Sequence, residues 1–238
     1  MTYSADYFAA RESWRDWRIE ARALIDLARV TRGAHTLEIG CGGGGLLRML
    51  RERGARVVGV DTLQVALLLA AERFEQPPGK LTRRQGDKEG ITLSPCHPVT
   101  RSLLRIGKDD ALPFRDAAFD AIIGQHVVEH LPDTDVALRE YKRLLKPNGR
   151  LALATPNARY PDPAHFADAD HTRVFTPREL RERVEHAGFV VESCYTIFPF
   201  LSRARLLRAF GVIAYRLFQR APYFATRGRT IMLSASNP

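Results

Sequence analysis

Glu38, the five glycines within residues 40–45 and Asp61 form the stretch of this 238-residue chain whose spacing best suits a bound ligand. In His35 to Leu50, HTLEIGCGGGGLLRML, Leu37 and Ile39 flank Glu38, a glycine run follows, and an apolar periodic segment comes next. That pattern predicts a short buried strand, a tight turn and the first turns of a helix. Glycines suit such a turn because its torsions exclude a Cβ and because a ligand must come close to the main chain. The helix beginning near Gly44 offers unpaired N–H groups and the positive end of its dipole. Gly40, Gly42 and Gly45 keep the G-x-G-x-x-G spacing of a dinucleotide site, with Asp61 about 20 residues further on. Glu38 argues against a pyrophosphate. A carboxylate at the mouth of the loop repels one and favours a ligand carrying an ammonium or sulfonium group.

The frame that must hold these groups reads as alternating strands and helices. Phe8, Trp14, Trp17, Ala21, Leu24, Ile25 and Ala28 keep a rough helical spacing over residues 6 to 30, and Thr31-Arg-Gly33 breaks it. One helix runs from about Gly44 to Arg53 and stops at Gly54, a left-handed terminator. Arg56 to Asp61, RVVGVD, is a second buried strand, with Asp61 at its carboxyl end, where open α/β sheets bind ligands. A carboxylate there can take both hydroxyls of a ribose. A helix over Leu63 to Glu75 precedes residues 76–101, an insertion with four prolines and no period, expected near the site. Within it Cys96-His97 lacks a partner pair spaced for a metal.

Ser102 to Ile106 supplies a third strand, Asp135 to Leu145 a helix, Lys146-Pro-Asn-Gly149 a turn, and Arg150 to Asn157 the fifth strand. Thr176, Pro177, Glu179 and Gly188 mark another capped helix, and residues 189–195 and 230–235 supply the last two strands. Within the intervening residues 196–229, Phe200 to Arg220 is amphipathic. Leu207, Phe210, Ile213, Leu217 and Phe218 share one half of the wheel, against Arg205, Arg208, Arg216 and Arg220. A single domain over 1–238 is expected, with residues 1–33 as a helical cover.

The pattern E-x-G-x-G-x-G, from Glu38 to Gly44, closely resembles the first motif of class I S-adenosylmethionine-dependent methyltransferases. Leu112-Pro-Phe114, Phe119-Asp120, Glu129-His130-Leu131 and the K-P-x-G turn before a strand ending T-P-N resemble later motifs of the same family. The resemblance covers roughly residues 35 to 195 and implies a three-layer, Rossmann-like α/β fold. Its sheet has seven strands, mostly parallel with the last antiparallel, and helices on both faces. It also implies S-adenosylmethionine, with S-adenosylhomocysteine as product. The methionine end would meet Glu38, Gly40, Cys41 and Gly42, and the ribose Asp61 and Thr62. The adenine would lie by Asp109 or Asp110 beside Ala111, and Gln125 would complete the cofactor site. Lys108 stands where the family's usual acidic residue falls, so which aspartate meets adenine stays open.

The same resemblance places acceptor chemistry on His126, Glu129 and His130 after the fourth strand and on His165 and His171 after the fifth. His126-Val-Val-Glu129-His130 resembles the Glu-x-x-Glu-His metal motif of the ubiquinone-type O-methyltransferases, with His126 replacing the first glutamate. On a helical turn the three side chains share a face, and the added imidazole shifts preference from magnesium toward transition metals. The favoured reading has no metal, with His126 or His130 as general base. GQHVVEH is not the Pro-Pro-aromatic motif of base amine methylation, and neither Cys96 nor Cys194 sits in a cysteine-nucleophile motif. A small-molecule acceptor, most simply a hydroxyl, is left. The alternatives are an RNA-modifying enzyme using the basic C-terminal segment and a cofactor-binding subunit without catalysis.

Composition bounds the partners. The formal charge of +9 is concentrated late: after Glu192 come seven arginines and no acid. Nucleic acid, an anionic membrane surface or an acidic substrate could answer such asymmetry. Nucleic acid is not favoured, and residues 200–220 offer a peripheral membrane contact. No apolar run approaches the length of a membrane span. The opening MTYSADYFAARESW lacks the basic flank and apolar block of a secretory signal. Cys41, Cys96 and Cys194 form no framework, so a reducing cytoplasm is expected.

Overall fold

The computed structural model describes residues 4–75, 103–107, 111–160, 169–199 and 226–238. Two helices open the chain, α1 (Ala5–Ser13) and α2 (Arg15–Leu27), parted at Trp14, whose ψ of 137° ends one and begins the other. Then follow β1 (His35–Ile39), α3 (Gly45–Glu52), β2 (Arg56–Asp61), α4 (Gln64–Glu75), β3 (Leu103–Arg105) and β4 (Phe119–Gln125). A 3-10 turn (Val128–His130) leads to α5 (Thr134–Leu144), β5 (Leu145–Pro156), α6 (Pro177–His186), β6 (Val190–Pro199) and β7 (Gly228–Ser236).

The seven strands form one sheet in the order β3-β2-β1-β4-β5-β7-β6. Pairs from β3 through β5 are parallel, and β7 runs antiparallel to both of its neighbours. This is the Rossmann-like, mostly parallel sheet with its last strand reversed that the motifs implied. Period-two alternation divides each strand between two cores. Ile122, Leu151, Leu153, Ile231 and Leu233 pack with Leu138 and Leu144 of α5 and Leu180 and Val184 of α6. Ala121, Ile123, Ala152, Ala154 and Met232 face the other way, toward Leu24 and Ile25 of α2 and Leu46, Leu47 and Leu50 of α3. Alanines on that second face let α2 lie close to the sheet. Fully burying side chains such as Leu24 and Ile25 stabilises by about 1.5–3 kcal/mol each, before ordering costs.

Local signals explain the element ends. Gly44 caps α3 at φ 77°, and a Cβ there would stand 2.9 Å from Ala70 Cβ, so α3 and α4 pack through it. At α6, Thr176 Oγ1 accepts from Glu179 N–H and Glu179 Oε2 accepts from Thr176 N–H, the reciprocal box its spacing predicts. The tight turn at Lys146–Gly149 survives inside a longer β5. Leu145 still pairs with Phe119, a bulge follows, and Asn148 takes φ 63°. Asn237 staples this turn, donating from Nδ2 to Leu145 O at 2.9 Å and accepting at its main-chain oxygen from Asn148 N–H. β6 and β7 run beyond residues 189–195 and 230–235, to Pro199 and back to Gly228, because they keep pairing with each other that far. The insertion at 76–101 and the amphipathic stretch 200–220 lie outside the described residues.

Candidate active site

β1 and β2 end side by side, in register Ile39 to Val60, and so bring the glycine loop and Asp61 together. Asp61 ties that loop down: Oδ2 accepts from Gly42 N–H at 2.8 Å and Oδ1 from Leu63 N–H at 2.9 Å. Each oxygen keeps a lone pair for a further donor. Burial raises the Asp61 carboxyl above its ordinary range, opposed by main-chain N–H groups of Leu63, Gly42 and Thr62. Gly40 has φ 65°, and a Cβ there would strike Val127 Cγ2, so the loop passes under the turn that follows β4.

Glu38 is buried, and its Oε2 has no partner. Burial first, then the charges of Glu12 and Asp61, push its carboxyl well up. The same burial and the Glu38 and Asp61 charges push the Cys41 thiol up. A pocket that crowds carboxylates around an orphaned oxygen seeks a cation. Helix α1 lies over the loop: a Gly42 Cβ would stand 3.1 Å from the Phe8 ring, closer than ordinary van der Waals contact, and Glu12 pairs with Arg73 of α4. Arg73 in turn donates to Gly43 O at 2.8 Å. The Arg11 charge on α1 helps to lower the carboxyls of Glu20 and Glu38 and opposes the charge on His126.

The second half is the turn after β4. His126 takes the left-handed φ of 56°, with its N–H on Ala154 O at 2.8 Å. Its Nε2 pairs with Glu20 Oε1 at 2.7 Å, and its Nδ1 lies 3.3 Å from Glu129 Oε1 at an ion-pair contact. Gln125 Nε2 donates to the same Glu20 oxygen at 2.8 Å. Glu129 is 0% exposed; Oε2 accepts from Thr155 Oγ1 at 2.9 Å, while Oε1 finds no hydrogen-bond donor. His130 donates from Nδ1 to Asp170 O at 3.0 Å, since a carbonyl can only accept, and this leaves Nε2 with its lone pair in the neutral ring. The His130 and His171 rings are 4.8 Å apart, held there because Glu129 O accepts from Thr172 and Arg173 N–H. His171 Nδ1 is buried without a partner.

His126 is thus an imidazolium between two carboxylates, pushed up to about 9 against the cost of burial by Glu20 and then Glu129. Glu20 is drawn down to about 2, burial being outweighed by His126 and the Gln125 amide. The sign follows. The raised histidine lends stability in full below its unfolded value of about 6.5, and loses it as pH climbs through about 9. The lowered glutamate lends it above about 4.3 and loses it as pH falls through about 2. Both describe one interaction and count once. Glu38 and Asp61, raised by burial, favour the protonated fold and so lose stability as pH rises. The difference in melting temperature between wild type and His126→Gln therefore isolates the pair. It should be full between about pH 4.3 and about pH 6.5 and shrink through about pH 9. A difference constant from about pH 6 to about pH 10 would show that the pair does not titrate this way.

Of the expected residues, the structure gathers Glu38, Gly40, Cys41, Gly42, Asp61 and Thr62 at one loop and Gln125, His126, Glu129, His130 and His171 at the facing turn. Ala111 begins a loop tied to α5, where Arg143 donates to Leu112 O, Phe114 O and both Glu140 oxygens while Glu140 Oε1 accepts from Leu112 N–H. Asp109, Asp110 and His165 lie outside the described residues. Sequence reasoning passed over Glu20, Glu12, Arg11 and Thr155. For Glu20 a signal existed: it shares the helical stripe of Trp17, Ala21, Leu24 and Ala28, where an apolar residue belongs.

Comparison with known proteins agrees with this geometry. The family described as "Methyltransferase domain" matches residues 7–194. A ubiquinone biosynthesis O-methyltransferase of Dinoroseobacter shibae is 30% identical over 173 residues, 66% of this chain and 60% of that protein. A probable S-adenosylmethionine-dependent methyltransferase of Mycolicibacterium smegmatis is 29% identical over 198 residues, 82% of this chain and 67% of that one. The chain thus spans about two thirds or less of the length of these relatives. Among solved structures, a putative methyltransferase of Haloferax volcanii, in complex with a methyltransferase activator, superposes with a TM-score of 0.65 at 22% identity. That alignment covers 100% of this chain and 99% of that one. The unpartnered Glu38 oxygen and the tight glycine cradle fit the cationic cofactor of this family. The chain belongs to the family described as "Methyltransferase domain".

Proposed function

We propose that this protein methylates a hydroxyl of a small-molecule acceptor. The observation that carries the proposal is His130, whose Nδ1 bond to Asp170 O leaves Nε2 as a base on the turn facing the glycine loop. Glu38, Gly40, Cys41, Gly42, Asp61 and Thr62 would hold S-adenosylmethionine, with Arg11 facing its carboxylate, Gln125 closing the site, and Asp109 or Asp110 beside Ala111 at the adenine. When bound, that cofactor supplies a methyl on a sulfonium, open to in-line displacement by an acceptor oxygen. His130 Nε2 takes the hydroxyl proton, and neighbouring Glu129 stabilises the charge this leaves on the ring. His126, already protonated between two carboxylates, holds charge instead of accepting a proton. The names of the relatives support O-methylation.

A second reading is favoured by a separate observation. Glu129, His130 and His171 each offer a ligand atom within 4.8 Å of the others, and Glu129 Oε1 and His171 Nδ1 are both buried without a hydrogen-bond partner. A divalent ion there would draw on two imidazoles and one carboxylate, a set suited to a transition metal. His126 falls outside it, occupied by its two carboxylates.

One assay tests both. The protein is dialysed against a chelator and incubated with methyl-labelled cofactor plus catechol, 3,4-dihydroxybenzoate or total RNA. We expect label in a phenol and full rates without metal. Rates lost to the chelator and restored by zinc or cobalt support the metal reading. Label in RNA alone, declining steeply with salt, would replace a small-molecule acceptor with nucleic acid. Among the described residues no helix is long and apolar enough to cross a membrane.

A further inference from the structure

The turn after β4 closes on itself with one main-chain bond, His130 N–H to Val127 O at 2.9 Å. His126 sits in a left-handed conformation that a residue with a Cβ avoids, and no glycine relieves it. Its main chain is held by Ala154 O of β5, and its side chain by a helix more than a hundred residues earlier in the chain. Glu20, 3% exposed on α2, grips His126 Nε2 at 2.7 Å and Gln125 Nε2 at 2.8 Å with a single oxygen. From His126 the contacts continue to Glu129 Oε1 at 3.3 Å, and from Glu129 Oε2 to Thr155 Oγ1 at 2.9 Å. A line of four polar side chains therefore runs from α2 to β5, through the residue that precedes His130.

Stability alone is a poor reason for this line. Glu20 occupies a place in the apolar stripe of α2, beside Ala21 and Leu24, where a leucine would bury its surface without desolvating a charge. A buried ion pair earns its place better by selecting one arrangement of the groups around it. Here those groups are the acceptor-side residues. Arg11, close enough to influence both Glu20 and His126, adds a reason for the turn to collapse differently should Glu20 lose its charge.

We propose that Glu20 is a positioning residue for methyl transfer: by holding His126 it fixes the turn that aims Glu129 and His130, making α2 part of the acceptor side. This rests on the reading of His130 as the group that takes the acceptor proton. It differs from a covering role for the N-terminal helices, which would act on cofactor retention.

Two readouts separate the possibilities in the full-length protein. In Glu20→Gln, amide hydrogen exchange over residues 126–131 should quicken about tenfold, the worth of one lost charge-assisted hydrogen bond. Exchange over residues 40–45 should hold. With 3,4-dihydroxybenzoate as the probe, kcat should fall about 10²-fold, as misplacement by an ångström does, while the Kd for S-adenosylmethionine stays within about twofold. Joining Glu20→His with His126→Glu re-forms an opposed pair and should return protection to 126–131 and part of kcat. Arg22→Gln, on the exposed face of α2, is the control and should match wild type. Unchanged exchange at 126–131 in Glu20→Gln overturns the proposal, as does unchanged kcat. So does a loss confined to cofactor affinity. If wild type methylates no phenol, the O-methylation reading fails by itself, and the exchange measurement still decides whether Glu20 sets the turn.

Discussion

Asp61→Ala should bind S-adenosylmethionine about 2–4 kcal/mol more weakly, roughly 30- to 1000-fold in Kd, with the fold intact. Two losses combine in that figure. One is the pair of charge-assisted bonds that a carboxylate at the end of β2 can accept from a ribose. The other is organisation of the loop itself, since Asp61 Oδ2 holds Gly42 N–H at 2.8 Å and Oδ1 holds Leu63 N–H at 2.9 Å. Alanine leaves both main-chain donors beneath a buried surface without acceptors. Asp61→Asn is instructive beside it, because an amide must turn its NH2 toward one of those donors and so keeps only one of the two bonds. We expect asparagine to recover less than half of the lost binding energy. Burial holds the Asp61 carboxyl above its ordinary range, so wild-type affinity should also weaken on acidification, as protonation removes the acceptor, and alanine should abolish that trend. Isothermal calorimetry decides it: unchanged affinity in Asp61→Ala would remove the ribose from β2, and tight binding of NADH would undo the reading of Glu38.

Much of this frame was legible because it is local. The strand, glycine turn and helix around Gly40 to Gly45, the capping box of Thr176 and Glu179, and the stop at Gly54 each depend on neighbours within about one turn. Sequence carries such information directly. The acceptor side was legible only as a set of residues. That His126, Glu129 and His130 stand together follows from their spacing, yet their roles depend on Glu20, Thr155, Asp170 and His171, which arrive from three other segments. A histidine flanked by two buried carboxylates is a cation. The same histidine facing solvent is a base, and spacing cannot tell these apart. The metal motif shows the same gap, for the partner that completes Glu129 and His130 is His171, brought in through the Glu129 main-chain oxygen. Glu20 left a legible trace as a charge inside an apolar stripe, although its pairing with His126, 106 positions later, did not. The extents of β6 and β7 were set by their mutual pairing, a tertiary choice that residue preference does not record.

His130→Asn should lower kcat for a phenolic acceptor by about 10²–10⁴-fold, the usual worth of a positioned general base, with cofactor affinity unchanged. Asparagine is the informative substitution because its side-chain NH2 reaches roughly where Nδ1–H stood. It can keep the donation to Asp170 O and with it the segment that presents His171, while supplying no lone pair in place of Nε2. His130→Ala removes both functions. It should lose a further neutral hydrogen bond of about 0.5–1.5 kcal/mol in stability without a much lower kcat than asparagine. His130→Gln makes the complementary test, its amide reaching toward the Nε2 position but losing the bond to Asp170. The two chemical readings then part by rescue. Free imidazole added to the His130→Ala protein should restore part of the rate if His130 takes the acceptor proton. If Glu129, His130 and His171 instead seat an ion, imidazole does little, and His171→Ala should match the defect of His130→Ala and answer to added zinc or cobalt. Wild-type kcat in His130→Asn would sink both readings at once and move the chemistry away from the turn after β4.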